Sequence, residues 1–295
     1  MYRPLARVIK LLGSLACHAL TMAWTSLQKG CGRTVPANYI ILCYHAIATR
    51  KRARFARQMS LLRRYAEPAR VDVDPPLHPG RRYAAVTFDD IYESVVENAL
   101  PELQTRNIPC ALFAAGDFLG QSPPWSDMDG YEDTDKIVTA KQLAELPSDF
   151  VVIGSHTMTH RSLSSLPEEE ARRELLESRN FLRQMIGRDV RLLAFPHGMF
   201  NQSVIDWSKD AGYERVFSIL PTVTHSRSSE YLTGRVVVDP DDWNIEFRLK
   251  LLGAYRWLPL AFEAKRKWQA FFRRCLQVSA ALLPHILRRR VLPDS

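Results

Sequence analysis

A chain of 295 residues that is 46% apolar and 24% charged can enclose a large core and lacks the low apolar content of a disordered protein. Its formal charge of +8 is unevenly placed: residues 1–36 hold five Lys/Arg and no acid, residues 255–295 hold nine against two, and the stretch between is net −4. Basic charge confined to two apolar, tryptophan-containing ends argues against a nucleic-acid partner, which would need a basic face on the folded domain, and fits an anionic membrane surface.

Residues 1–36 read as a basic amphipathic helix. Arg3, Arg7, Lys10, Ser14, His18, Thr21, Thr25 and Gln28 recur at steps of three and four, which gathers them on one face and leaves Leu5, Val8, Ile9, Leu12, Leu15, Ala19 and Met22 mostly on the other. A helix lying in the membrane interface is the first expectation and a spanning anchor the second, because His18 and several hydroxyls interrupt the apolar run. Nothing resembles a small-residue cleavage site. Residues 255–295 repeat the theme, with Trp257, Trp268 and Phe271 available at headgroup depth. A helical lid on the domain is the alternative for both ends.

Residues 37–254 form the expected catalytic domain. Short apolar runs, "YIILCY", "YAAVTF", "CALFAA", "FVVIG", "RLLAF", "RVFSI" and "RVVVD", alternate with helical patterns near 55–65, 94–104, 140–146, 168–185, 202–210 and 245–252. About seven parallel strands alternating with helices predict an α/β fold of barrel type, with functional residues at strand ends. The long loop "LGQSPPWSDMDGYEDTDK" is a candidate wall of the site. The five cysteines show no metal-type pairing and no disulfide framework; Cys43 and Cys110, within apolar runs, read as buried thiols in a reducing compartment.

Chemistry-bearing residues fall just after the strands. Asp89 and Asp90 end "VTFDD"; adjacent strand-end residues point apart, so one can bind a cation while the other faces a reacting water. His156 and His160, four apart in "SHTMTH", with Asp90 make a three-ligand set for a borderline divalent ion, with an open position for water. Zinc is the expected ion, with cobalt, nickel or manganese as alternatives. Pro196, His197 and Gly198 form a rigid turn after another strand; Asp239, Asp241, Asp242 and Trp243 follow "VVVD"; His45 ends the first strand. Each alone is as compatible with a cap or a turn as with function, and the case rests on the whole set. No ligand cluster for a second metal and no glycine-rich phosphate loop is legible, which argues against a metal phosphoesterase.

In order and spacing, TFDD, SHTMTH, FPHG and DPDDW resemble the motifs of the polysaccharide deacetylase family of carbohydrate esterases, over roughly residues 39–252. The resemblance implies a deformed (β/α) barrel and a metal-dependent hydrolysis of an N-acetyl amide on an amino sugar. It assigns Asp89 as general base and Asp90, His156 and His160 as metal ligands. "YHAI" is similar to the permuted members, which makes His45 the general acid; Asp239, with Asp242 second, is the expected carboxylate behind it. Tyr44, His197 and Trp243 are expected walls for a sugar ring, beside the turn Pro196–Gly198. Two departures stand out: the family arginine that steadies the catalytic Asp is Ala194 here, with Arg191 nearby, and the aromatic after the proline is His197. The expected substrate is an amino-sugar glycan or a lipid-linked saccharide at a bacterial inner membrane, the cytoplasmic face favoured over the periplasmic one. A deformylase and a catalytically inactive glycan-binding module are the alternatives.

Overall fold

The computed structural model describes residues 4–73, 77–125, 136–221, 230–264 and 268. The chain divides into a unit Met1–Arg256 and a second, Trp257–Ser295. In the second, residues 258–264 are helical; Phe271 and most of the basic C-terminal tail lie outside the described residues.

All seven apolar runs are strands, and every helical pattern contains a helix. The strands are β1 (Asn38–Tyr44), β2 (Glu67–Pro68), β3 (Arg82–Asp89), β4 (Cys110–Ala114), β5 (Val151–Ser155), β6 (Leu192–Ala194), β7 (Arg215–Ser218), β8 (Leu232–Gly234) and β9 (Val236–Val237). The helices are α1 (Pro4–Gly30), α2 (Arg52–Tyr65), α3 (Leu100–Thr105), α4 (Ala140–Ala144), α5 (Glu168–Ile186), α6 (Gln202–Asp210) and α7 (Asn244–Leu251).

Every strand pairing is parallel, in the order β8-β7-β6-β5-β4-β3-β1-β9, with the short β2 also beside β3. β8 and β9 lie at opposite ends of that order yet are separated in the chain only by Arg235. Three consecutive Cα atoms span at most about 7 Å, so the two sheet edges must meet. The sheet is therefore curled into a barrel whose seam is closed covalently at Arg235, the barrel type expected from the alternation and the deformed (β/α) form implied by the resemblance. "RVVVD", read as one strand, is in fact the far side of that seam.

The two faces of the strands divide the core by their period of two. Tyr39, Ile41, Tyr83, Ala85, Ala111, Phe113, Ala194 and Phe217 fill the barrel, whereas Ile40, Leu42, Tyr44, Val86, Phe88 and Leu112 face the surrounding helices. Phe113 can lie flat on the barrel wall because residue 154 is glycine; a Cβ there would come within 2.5 Å of its ring. Above this apolar layer the inward positions turn polar, and the site begins there.

Candidate metal centre and active site

Cys43, Thr87 and Asp89 sit on the inward face near the C-terminal ends of β1 and β3, and Arg235 reaches them from the seam. The Arg235 guanidinium donates to both oxygens of Asp89, Nη1 to Oδ1 at 2.6 Å and Nη2 to Oδ2 at 2.8 Å, and to Thr87 Oγ1 at 3.2 Å. The Cys43 thiol donates to Asp89 Oδ2 at 3.4 Å. Arg235 is wholly buried and its cation lies against the rings of Phe113 and Phe217, 5.2 and 6.0 Å from their centroids. Burial by itself would raise the Asp89 pKa, but the charge of Arg235 and its hydrogen bonds more than offset it and hold the carboxyl far below its usual range. Burial pushes the Cys43 thiol well above its ordinary value, so it stays a neutral donor.

Asp89 thus has its arginine partner at position 235 and not near Ala194. Arg191 does not fill the role: it pairs with Glu214 at the surface. The signal for Arg235 was a charged residue inside an apolar strand run, which can be buried only with a partner.

One residue further, the chain leaves the strand in a left-handed conformation at Asp90, with φ 68°. This swings Asp90 away from Asp89 and toward the loop after β5, where Thr157 (φ 68°) and His160 (φ 56°) are also left-handed. Non-glycine residues seldom adopt this region, and three here concentrate backbone strain around one point. Glu174 of α5 holds that loop, accepting from the amides of Met158 and Thr159 at 3.0 Å each and from the Thr159 hydroxyl.

The result is a convergent trio. His160 Nε2 lies 3.5 Å and His156 Nε2 3.9 Å from Asp90 Oδ1, and the three ligand atoms all fall within 4.8 Å of one another, each on a buried residue. Ligands about 2.1 Å from a tetrahedral zinc would be about 3.4 Å apart, close to the two distances from Asp90 to the histidines. His156 Nδ1 is 2.7 Å from the Ala194 carbonyl, which fixes that nitrogen as the donor and leaves Nε2 as a lone-pair ligand. Burial lowers the imidazole pKa of His156 to about 4 and that of His160 to about 2, so both are neutral bases at ordinary pH.

Trp125, in the loop that the sequence offered as a wall, supports this centre. Its indole N–H donates to Asp90 Oδ2 at 3.1 Å, and its ring stacks on His160 with centroids 3.9 Å apart. No motif marked it. Its neighbours 126–135 lie outside the described residues.

His45, half-buried after β1, forms a second convergent set with Cys43 and Asp89, again with donor atoms within 4.8 Å. The sequence reading saw no second cluster of ligand types; the fold makes one. There the Arg235 guanidinium already supplies a positive charge on both Asp89 oxygens, so the set is suited to handling protons.

The other expected site residues divide. His197 is exposed at the rim with its ring 4.8 Å from that of His160, on a turn with buried Pro196 and with Gly198 at φ 64°. A side chain at Gly198 would strike Ile219. Trp243 is 47% exposed at the rim, with the Arg7 guanidinium 4.3 Å above its ring. Tyr44 is a correction: it faces outward from β1, is fully buried among Phe55 and Phe88, and its hydroxyl donates to Gln58 at 2.9 Å. It is a core residue and no sugar wall, because the strand period puts Cys43 inside and Tyr44 outside. The Asp239 carboxylate, 58% exposed, is engaged by Lys51 at 3.3 Å and by the Asp241 amide at 2.7 Å. Asp242 is spent locally, pairing with Lys250 of α7 and accepting from the Asp239 amide, and burial raises its pKa.

Taken together, a closed parallel (β/α) barrel and an Asp–His–His centre at its strand ends define a hydrolase of metal-centred type. The sequence from residue 77 to 216, just under half of the chain, matches the polysaccharide deacetylase family. YxkH of Bacillus subtilis, which carries a polysaccharide deacetylase name, is 22% identical over 231 residues, 75% of this chain and 76% of its own. The poly-β-1,6-N-acetyl-D-glucosamine N-deacetylase of Staphylococcus aureus is 24% identical over 170 residues, 55% of this chain and 56% of its own. The structure of IcaB from Ammonifex degensii superposes with a TM-score of 0.61 at 23% identity, covering 72% of this chain and 97% of that one, and shares the fold.

Proposed function

We propose that this protein hydrolyses the N-acetyl amide of an amino sugar, in a glycan or lipid-linked saccharide, to acetate and a free amine. The observation that carries the reading is the pairing of two adjacent carboxylates in opposed settings: Asp90 beside His156 and His160, and Asp89 clamped by Arg235 next to His45. A divalent ion held by Asp90, His156 and His160, zinc by preference, would supply Lewis acidity toward the acetyl oxygen and lower the pKa of water. Asp89, kept ionised by Arg235, orients the attacking water and accepts its proton. His45, within reach of Asp89, delivers a proton to the departing nitrogen, without which an amine is too basic to leave. The indole of Trp125 and the carbonyl of Ala194 hold Asp90 and His156 in position. Trp243 and His197, exposed at the rim, are suited to stack on the sugar. The family relationship, including a relative named for N-deacetylation of poly-N-acetylglucosamine, supports the substrate class. We assign the protein to a bacterial inner membrane as a peripheral enzyme, on its cytoplasmic face.

The test is acetate release from N-acetylated amino-sugar substrates by zinc-reconstituted protein beside Asp89→Asn and His156→Ala. Release by the wild type that requires metal and disappears in both variants is the expected result. Formate release from an N-formyl substrate alone, or no release of either acid, would overturn the acetyl assignment.

A further inference from the structure

α1 is docked with its polar side inward. Arg7, Lys10, Ser14, His18, Thr21 and Gln28 are buried or half-buried against the barrel unit. Facing solvent are Leu5, Ile9, Leu12, Leu20, Trp24 and Leu27, each between 55% and 73% exposed. The attachment is specific. Arg7 donates through Nε to Glu246 at 2.9 Å and through Nη2 to the Asp241 carbonyl at 2.8 Å, and covers Trp243. Farther along, Arg256 donates to Thr21 at 2.6 Å. The helix therefore begins at the rim of the site, where α7 starts, and runs alongside α7 to Arg256, beyond the end of α7 and so toward the opposite end of the barrel.

At 100° per residue the exposed apolar positions from Leu5 to Leu27, together with the less exposed Val8, Leu15 and Met22, cover an arc of about 200° over about 33 Å. A single partner helix buries a much narrower seam, so packing against a second copy would leave much of this surface in water. A fluid apolar phase covers it all. The remaining arc is bonded to the protein, so the helix cannot be ringed by lipid as a spanning segment must be.

We propose that α1 is a membrane-docking face built into the barrel unit, lying in the plane of a bilayer that carries anionic lipid. The charge pattern complements such a surface: residues 1–36 contain no acid, and while Arg7 and Lys10 face the protein, Lys29 and Arg33 at the end of the segment stay exposed. Because α1 runs alongside the barrel, docking lays the barrel on its side and sets the mouth, at Trp243, level with the lipid headgroups. Resting on the deacetylase reading, this selects as substrate an amino sugar anchored at the membrane surface over a polymer free in solution.

The experiment uses the full-length protein and sedimentation with phosphatidylethanolamine–phosphatidylglycerol vesicles, without substrate. The variant is the double substitution Leu12→Glu and Leu20→Glu, at exposed positions where glutamate suits a helix. The wild type should partition onto the vesicles and the variant should bind at least about tenfold more weakly, with an unchanged thermal unfolding curve. Equal binding by the two overturns the proposal. So does a detergent-free wild-type dimer that ignores vesicles and becomes monomeric in the variant, which would place a second copy on this face. A second arm compares hydrolysis of one amino-sugar headgroup, lipid-anchored in vesicles or soluble. Docking predicts that the variant loses rate on the anchored form only; an equal loss on both overturns it. Vesicle binding without hydrolysis of either form leaves the docking face standing and overturns the deacetylase reading.

Discussion

Replacing Arg235 with methionine separates the charge of this residue from its packing. Methionine has a flexible apolar chain that can occupy the space between Phe113 and Phe217, so the main loss is the guanidinium that bonds both oxygens of Asp89 at 2.6 and 2.8 Å. Both partners are buried, so solvent could replace little of what the orphaned carboxylate loses. Removing one member of such a pair costs about 3–5 kcal/mol. The sign of the pH dependence follows. In the wild type Asp89 titrates well below an unfolded aspartate, so its contribution is present above the unfolded pKa and is lost as pH falls toward the folded value. Without Arg235 burial raises the Asp89 pKa unopposed by its strongest neighbour, and the native variant takes up a proton more readily. The gap between wild type and Arg235→Met should therefore be largest near neutrality and shrink toward pH 4. Urea unfolding of chelator-stripped protein at pH 7 and pH 4 measures it. A gap below about 1 kcal/mol at pH 7, or one that does not change with pH, would refute the claim that Arg235 holds Asp89 ionised.

Trp125→Phe keeps the ring against His160 but deletes the N–H bonded to Asp90, and losses of such outer contacts weaken metal binding by about 10- to 100-fold; zinc titration calorimetry should show this with little change in stability, and an unchanged affinity would remove Trp125 from the centre. The metal-free protein should lose stability as pH falls from 6.5 toward 4, because the unfolded chain protonates His156 while the folded chain keeps it neutral down to about 4. The slope from that residue approaches about 1.4 kcal/mol per pH unit. His156→Gln should flatten the slope in urea unfolding, and an identical slope in the variant would assign it elsewhere.

Much of the site was legible because its residues stand at strand ends, where an apolar run stops at an acid or an imidazole. Asp89, Asp90, His156 and His160 announce themselves in this way, and the strands and helices follow from periodicity. The assignment of Tyr44 to the site failed for a reason of one residue: alternation along β1 sends it outward into the helical layer, whereas His45, beyond the strand, escapes that alternation. Trp125 was hidden within a loop whose path no period describes.

The order of apolar runs, the ligand types and the amphipathic arc of α1 were determined by the sequence alone, since each depends on residues a few positions apart. Only the tertiary structure decided that Arg235, 146 residues from Asp89, is its partner, because closure of the barrel brings the last strands beside the first. It also decided which way α1 faces. Amphipathicity specifies two sides of a helix but not which of them meets the protein, and here the acceptors offered by Glu246 and Asp241 draw Arg7 and the polar side inward, leaving the apolar side out.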